Sequence, residues 1–478
     1  MALPVLAVAS ELYPLIKTGG LADAAGALPA ALAGQGVAVR TLIPGYPKVL
    51  AALGAARTVL EWPELYGAPV RVLEGRAAGL DLLVLDAPHL FDRPGGPYVA
   101  PDGAEWGDNA IRFAALGRAA ARVADALGFA AVHAHDWQAG LVPAYLRFAP
   151  RPIPCLFTIH NLAYQGKFDA SLFPLLGLPA QAMSTQGLEY FGAIGFLKSG
   201  LWYADAINTV SPSYAEEILT PEGGMGLDGL LRGRSGDLHG ILNGLDTTDW
   251  DPKTDPHLAA RFSASAPAGR AANKAALQAR LGLAADPAAP LFAFIGRLAW
   301  QKGADLLLAA AHVPMQGGAQ LAMLGSGEPG LEQACRSFAA MHPGRAGAFI
   351  GFDEGLARLV YAGCDALVVP SRFEPCGLAQ LAALRYGAPP IVARTGGLAD
   401  TVIDTNHAAL AAGCGTGVQV APGSAEALAA GLRRALALYA DSAVWRGMRR
   451  RAMATDVSWG PSAGRYAAIL KGLAARHG

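Results

Sequence analysis

The sequence predicts an α/β protein built from two doubly wound, Rossmann-like domains. Three observations carry this expectation: short apolar runs alternate with helical patterns, the alternation lapses after about residue 243 and restarts near 290, and a unit of cation-Thr-Gly-Gly-Leu-Ala-Asp occurs once in each half. Apolar runs of about four to eight residues bounded by turn formers read as strands buried on both faces, the condition of parallel strands covered by helices. With 478 residues and 53% hydrophobic content, the chain can fill two cores.

In order, the first half offers strands at residues 3–9, 38–43, 80–85, 131–133, 154–159 and 206–210. Turn formers then concentrate in "NGLDTTDWDPKTDP" and "SASAPAGR", which place a hinge at about 243–262 and a short helix at 271–281. The second half resumes with strands at 291–295, 320–324, 348–351, 366–369, 390–392 and 417–420. This divides the chain into a domain at 1–243 and another at 244–457.

Charge and cysteine usage narrow the function. Thirty-eight basic residues balance 38 acidic ones, and no basic run supplies a phosphate-tracking stripe, so no nucleic-acid partner is expected. Five cysteines at 155, 335, 364, 376 and 414, without a C-x-x-C, fit a reducing cytoplasm. The apolar run 3–9 has no basic residue before it, the first being Lys17, and reads as a buried strand and not as a secretion signal. Arg118, Arg122 and Asp125 interrupt the Ala-rich stretch 114–132, so no membrane span is expected.

Candidate chemistry gathers at predicted strand ends. Lys17-Thr18-Gly19-Gly20-Leu21-Ala22-Asp23 and Arg394-Thr395-Gly396-Gly397-Leu398-Ala399-Asp400 each put a cation and two glycines before a helical pattern. Their backbone N–H groups and helix dipole could face an anion, and the alternative is a plain strand-to-helix turn. Neither is a Walker A loop or a G-x-G-x-x-G. Arg297 and Lys302 follow the strand 291–295, where ligands of open parallel sheets lie, and two cations at this spacing suit a diphosphate. In Ser371-Arg372-Phe373-Glu374-Pro375-Cys376-Gly377-Leu378, Pro375 fits a first helical turn, leaving the amides of Cys376, Gly377 and Leu378 to donate, and Glu374 could accept from sugar hydroxyls. His133-Ala134-His135-Asp136-Trp137 and Thr158-Ile159-His160-Asn161 end two strands of the first half, with a metal site on the H-x-H-D run as the less favoured reading. Asp249-Trp250-Asp251 reads as a turn, so no metal and no cofactor are expected.

These motifs, in this order and along essentially the whole chain, resemble the bacterial glycogen synthase and plant starch synthase family. The resemblance implies a GT-B fold, two Rossmann-like domains facing across a cleft, with a C-terminal helix at 458–478 returning to the first domain. It also implies transfer of glucose from ADP-glucose to the non-reducing end of an α-1,4-glucan with retention. Carried over, Lys17 lies near the phosphate and glucose of the sugar donor, with Gly19 and Gly20 beside it. Arg297 and Lys302 clamp the diphosphate, and Glu374 binds glucose. Cys376, Gly377, Leu378, Thr395, Gly396 and Gly397 complete the donor side. His160 and Asp136 line the transfer site, and Glu11, Asp23, Trp137 and Asn161 face the acceptor.

Two departures stand out. Ala382 occupies a position where related enzymes often carry a second glutamate, and Phe352 replaces a tyrosine that lies against adenine, with core packing as its alternative. Alternative functions are another retaining transferase of this fold, a nucleotide-sugar epimerase, or a non-catalytic glucan-binding protein. No carboxylate stands out as a nucleophile, and a front-face route assisted by the leaving phosphate is preferred.

Overall fold

The computed structural model describes residues 2–477. The chain divides into one unit of Met1–Asn243 with Trp459–Gly478 and a second of Gly244–Ser458.

The strands of the first unit are β1 (Leu3–Val8), β2 (Val37–Pro44), β3 (Arg57–Leu65), β4 (Ala68–Ala77), β5 (Leu80–Asp86), β6 (Ala131–His135), β7 (Cys155–Ile159), β8 (Lys167–Asp169), β9 (Glu189–Tyr190), β10 (Ala193–Gly195), β11 (Ala206–Thr209) and β12 (Leu238–Gly240). Nine form one sheet in the order β12-β11-β7-β6-β1-β2-β5-β4-β3, parallel from β12 to β5 and antiparallel at β4 and β3. The hairpin β3–β4 was not among the expected strands. Its alternation of exposed and buried residues is irregular and broken by register shifts, and such an edge hairpin carries no continuous apolar run. The short sheet β8-β10-β9 escaped for the same reason, its strands being two or three residues long.

Strand order reverses beside β1: the chain moves outward through β2 and returns on the other flank with β6. A doubly wound sheet opens a crevice beyond the carboxyl ends of the strands at such a switch point. Ser10 and Glu11 follow β1, and Asp136 follows β6. The helix Gly460–His477 packs Tyr466, Ala467, Leu470 and Leu473 with Val5, Leu28 and Leu32, so this helix joins the core of the first unit beside β1.

The second unit holds β13 (Leu291–Ile295), β14 (Gln320–Gly325), β15 (Ala346–Ile350), β16 (Ala366–Val369), β17 (Pro390–Ala393) and β18 (Val418–Val420), ordered β15-β14-β13-β16-β17-β18 and all parallel. Its switch point lies between β13 and β16, the strands that precede Arg297 and Glu374. The stretch expected as a hinge is largely packed structure: Trp250 lies edge-on against Tyr361 and Tyr386, and Phe262 is buried in the same core. Asp249 and Asp251 pair with Arg358 at 2.7 Å and Arg385 at 3.3 Å, so the D-x-D ties this turn-rich segment to the unit. Among the described residues no helix is long and apolar enough to cross a membrane.

Candidate active site

In the first unit the loop after β1 is organised by Glu11. Its carboxylate accepts from the Thr18 amide, from Thr18 Oγ1 at 2.6 Å, from the Gly19 amide at 3.2 Å and from Tyr98 OH at 2.5 Å. Because the one phenolic hydrogen of Tyr98 goes to Glu11, Ser10 Oγ donates to Tyr98 across 2.7 Å. Two expectations change here. The Thr18 and Gly19 amides face the protein's own carboxylate, and Glu11, expected on the acceptor side, has its lone pairs filled by this loop and by Tyr98. Asp23, expected likewise to meet the acceptor, pairs instead with Lys17 at 2.7 Å and aims that half-exposed ammonium, which also lies 5.1 Å from the Tyr13 ring. Gly19 is extended, and a Cβ there would meet nothing within 4 Å. Protein packing therefore does not demand the glycine, and open space beside Lys17 remains. Tyr98 had no sequence signal, since it is joined to Glu11 only by folding.

At the ends of β6 and β7, Asp136 and His160 are brought together. Asp136 Oδ1 accepts from the His160 amide at 2.7 Å and the Asn161 amide at 3.4 Å. Asp136 holds φ at 56°, a conformation that costs a non-glycine residue about 1–3 kcal/mol and concentrates at functional sites. His160 Nε2 meets His135 Nδ1 at 3.0 Å, and His135 stacks on His133 with centroids 4.0 Å apart. Thr158 donates its hydroxyl to Asn208 at 2.5 Å, so it accepts from His133 Nε2 at 2.6 Å, which fixes that ring as the Nε2–H tautomer. Among the described residues no three His, Cys, Asp or Glu side chains meet as a metal site. Trp137, expected to face acceptor, is packed between Phe113 at 5.0 Å, Phe168 at 5.8 Å and Tyr98 at 6.1 Å, because Gly166 lets the chain close over its ring. Asn161 Oδ1 caps the Ala163 amide at 3.0 Å.

Burial keeps the three histidines neutral, pushing His133 and His160 well below the usual imidazole value and His135 down to about 3. Burial raises the Asp136 carboxyl to about 7 against the opposing amides of His160 and Asn161. Below a pH of about 6.5 the unfolded histidines bind protons that the folded ones refuse, so stability falls as pH drops. Asp136 acts oppositely, because between 3.8 and about 7 only its folded form is protonated. Unfolding at pH 5 should therefore take up about two protons from these four groups. Urea titrations are expected to show stability falling from pH 6.5 to 5 by about 1.4 kcal/mol per proton per pH unit, with a shallower slope in His133→Asn. An unchanged slope in that variant would contradict the assignment.

In the second unit, Gly303 adopts φ 72°, and a Cβ there would lie 2.2 Å from the Pro370 carbonyl. The turn Trp300–Lys302 thereby closes onto the end of β16. Lys302 Nζ reaches Glu374 Oε2 at 2.6 Å, and Ser371 Oγ donates to the same oxygen at 2.9 Å. Arg372 steadies this turn by a two-armed contact to Asp305 at 2.9 and 2.6 Å and by lying 4.6 Å from the Trp300 ring centroid. Arg297 is exposed, with Nη2 3.4 Å from Gln301 Oε1. No acceptor within the described residues takes the amide hydrogens of Gly377 and Leu378, while the Cys376 thiol is buried.

The second Thr-Gly-Gly unit differs from the first. Gly396 has φ 43° and its Cβ would fall 2.0 Å from the Glu374 carbonyl, while the Gly397 amide donates to the Glu374 and Pro375 carbonyls at 3.1 Å. Thr395 is buried, and its carbonyl accepts from Leu398 at 3.1 Å. The expectation that these amides face an anion is thus corrected for Gly397, which supports the Glu374 segment from beneath. Ala382 packs in the core and presents no carboxylate. Phe352, just beyond the edge strand β15, is 82% exposed, which removes core packing as its role.

Comparison with known proteins follows the same division. Residues 4–233 match the family model described as the starch synthase catalytic domain, and residues 280–450 match glycosyl transferases group 1. The chain is 58% identical to a glycogen synthase of Acidiphilium cryptum, covering 99% of this chain and 100% of that one. It is 57% identical to a glycogen synthase of Methylocella silvestris, with 98% of both covered. The catalytic domain of starch synthase IV from Arabidopsis thaliana, solved bound to ADP and acarbose, superposes with a TM-score of 0.90 at 31% identity and complete coverage of both chains. A sucrose-phosphate synthase from Thermosynechococcus elongatus, at 19% identity and TM-score 0.62, shares the fold.

Proposed function

The chain belongs to the starch and glycogen synthase family of glycosyltransferases, and from that premise we propose that it transfers glucose from ADP-glucose to the non-reducing end of an α-1,4-glucan with retention of configuration. The observation that carries this reading is the pair Lys302–Glu374, 2.6 Å apart at the switch point of the second sheet with Arg297 on the neighbouring strand end. Such a constellation offers cations to a diphosphate and a buried carboxylate to sugar hydroxyls.

Glycosyl transfer develops negative charge on the departing diphosphate and positive charge on the sugar. Preorganised cations at the leaving oxygens therefore stabilise the transition state most. Arg297 and Lys302 take this role on the second unit, helped by the amides of Gly377 and Leu378. On the first unit, Lys17 beside the open Gly19 is the cation on offer, and His160 and Asp136, with Asn161 next to them, are the residues assigned to the transferred sugar. Keeping His160 and His135 neutral avoids an imidazolium near the sugar's developing positive charge. Each carboxylate of this set has a structural engagement: Glu11 holds the Thr18–Gly19 loop, Asp136 holds two amides, and Glu374 holds Lys302. That supports a front-face route in which the leaving phosphate takes the proton of the attacking hydroxyl.

The test is incubation with ADP-glucose or UDP-glucose, with and without glycogen and with excess EDTA, following nucleotide release. ADP release that requires glucan and survives EDTA is the expected result. Donor conversion without glucan would indicate an epimerase, and glucan binding without ADP release a non-catalytic protein.

Phe352 is the proposed stacking surface for adenine. Phe352→Ala should weaken ADP binding by about 5- to 150-fold, as expected for loss of one base–aromatic stack. Calorimetric titration should show this with Tm unchanged, because the ring is 82% exposed. Phe352→Tyr should be nearly silent.

A further inference from the structure

Phe191 combines two placements that a folded chain ordinarily avoids. It is 79% exposed, and it sits at φ 51°, in the left-handed region that suits glycine and asparagine. The reason for the second is visible in the hairpin. Strands β9 and β10 pair Tyr190 with Ala193, leaving Phe191-Gly192 as a two-residue loop. Both central residues carry positive φ, 51° and 79°, as a type I′ turn requires, and Asn-Gly is the preferred sequence for it. Gly192 meets that preference, and Glu189 Oε1 accepts from its amide at 2.8 Å. A phenylalanine at the first central position opposes both the turn and the solvent, so neither folding nor solubility accounts for it.

The surroundings indicate what the ring meets. One edge rests on Tyr190, with centroids 4.8 Å apart, and the Lys167 ammonium stands 6.0 Å from the Phe191 centroid. The ring is thus a single apolar face with an ammonium beside it. A stable protein interface needs a broad apolar patch, which this is not. A pyranose ring fits: its C–H face lies on the negative face of the aromatic ring, while hydroxyls at its rim reach charged groups. The hairpin is also continuous with the transfer side of the first unit, since β8 of the same small sheet starts six residues after Asn161, and its Phe168 packs 5.8 Å from Trp137.

We infer that Phe191 is a stacking platform for one glucose residue of the acceptor α-1,4-glucan, outside the reacting position, with Lys167 donating to its hydroxyls. The inference rests on the glucan transferase reading for the identity of the ligand. It names a residue for acceptor affinity that takes no part in the chemical step.

The experiment compares the full chain with Phe191→Asn, which supplies the residue the turn prefers, and Phe191→Tyr, which keeps the ring. Maltoheptaose binding is measured without sugar nucleotide, and KM for glycogen and for ADP-glucose are measured alongside Tm. Phe191→Asn is expected to weaken maltoheptaose binding and raise the glycogen KM by about 3- to 10-fold. Its kcat at saturating glycogen and its ADP-glucose KM should stay within twofold, and its Tm should hold or rise by about 1–2 °C. Phe191→Tyr should match the parent. Glucan affinity within twofold of the parent in Phe191→Asn overturns the inference. So does weakened binding in both variants accompanied by a Tm loss of more than about 5 °C, which assigns the ring to the fold. A parent that binds maltoheptaose through Phe191 yet releases no ADP supports the platform while defeating the transferase reading, and an active parent with a silent Phe191→Asn does the reverse.

Discussion

Replacing Arg297 or Lys302 with alanine lowers kcat by about 10²- to 10³-fold, the scale seen when one preorganised charge stabiliser is removed from a transition state. The two variants should differ in stability. Arg297 is exposed, so its loss leaves Tm unchanged. Lys302 is the ion-pair partner of Glu374, whose side chain is only 7% exposed, and its removal leaves a buried carboxylate without its counter-charge while Ser371 still donates to it. That should cost about 1–3 kcal/mol, less than for a fully buried pair because the lysine itself reaches solvent. Adding Glu374→Gln to Lys302→Ala should recover stability without recovering turnover. Steady-state kinetics beside thermal melts separate the effects, and a loss of less than threefold in kcat would remove that residue from the charge-stabilising role.

The twin Thr-Gly-Gly units should respond in opposite ways to the same substitution. Gly396→Ala places a methyl group 2.0 Å from the Glu374 carbonyl at a backbone φ of 43°, so both sterics and conformation oppose it. A destabilisation above about 3 kcal/mol is expected, with turnover lost because the displaced segment carries Glu374. Gly19→Ala meets nothing within 4 Å on an extended backbone, so the fold should be untouched. Any rise in the KM for ADP-glucose in Gly19→Ala would then report the approach of ligand to this loop. Chemical denaturation and KM measurements on the two variants decide the matter, and a Gly19→Ala protein that unfolds as readily as Gly396→Ala would refute the distinction.

Much of the architecture was legible before any coordinates. Buried parallel strands write themselves as apolar runs, which is why β1, β7, β13 and β16 lie where the sequence places them. Residues that follow strands arrive at the carboxyl edge of a parallel sheet by geometry alone, so Arg297, Glu374, Asp136 and His160 could be nominated as site residues from position and charge. The hairpin β3–β4 and the sheet β8-β10-β9 lacked such a signal, being short, exposed or irregular.

What the sequence by itself determined was the alternation of elements and the chemical types gathered at the strand ends, while the strand order that sets the two switch points came with the fold. Only the tertiary structure decided which partner each polar group takes. Glu11 and Tyr98 are 87 residues apart, and Asn208 and Tyr466 are 258 apart, yet each pair shares a hydrogen bond. Local periodicity reports burial, because burial repeats along a strand or helix, whereas a carboxylate's partner depends on which distant segment folding delivers within 3 Å. That is why two units of nearly identical sequence diverge. Around Gly19 a distant phenol and a nearby glutamate shape a loop with space beside it, and around Gly396 the Glu374 segment fills the space that the missing side chain leaves.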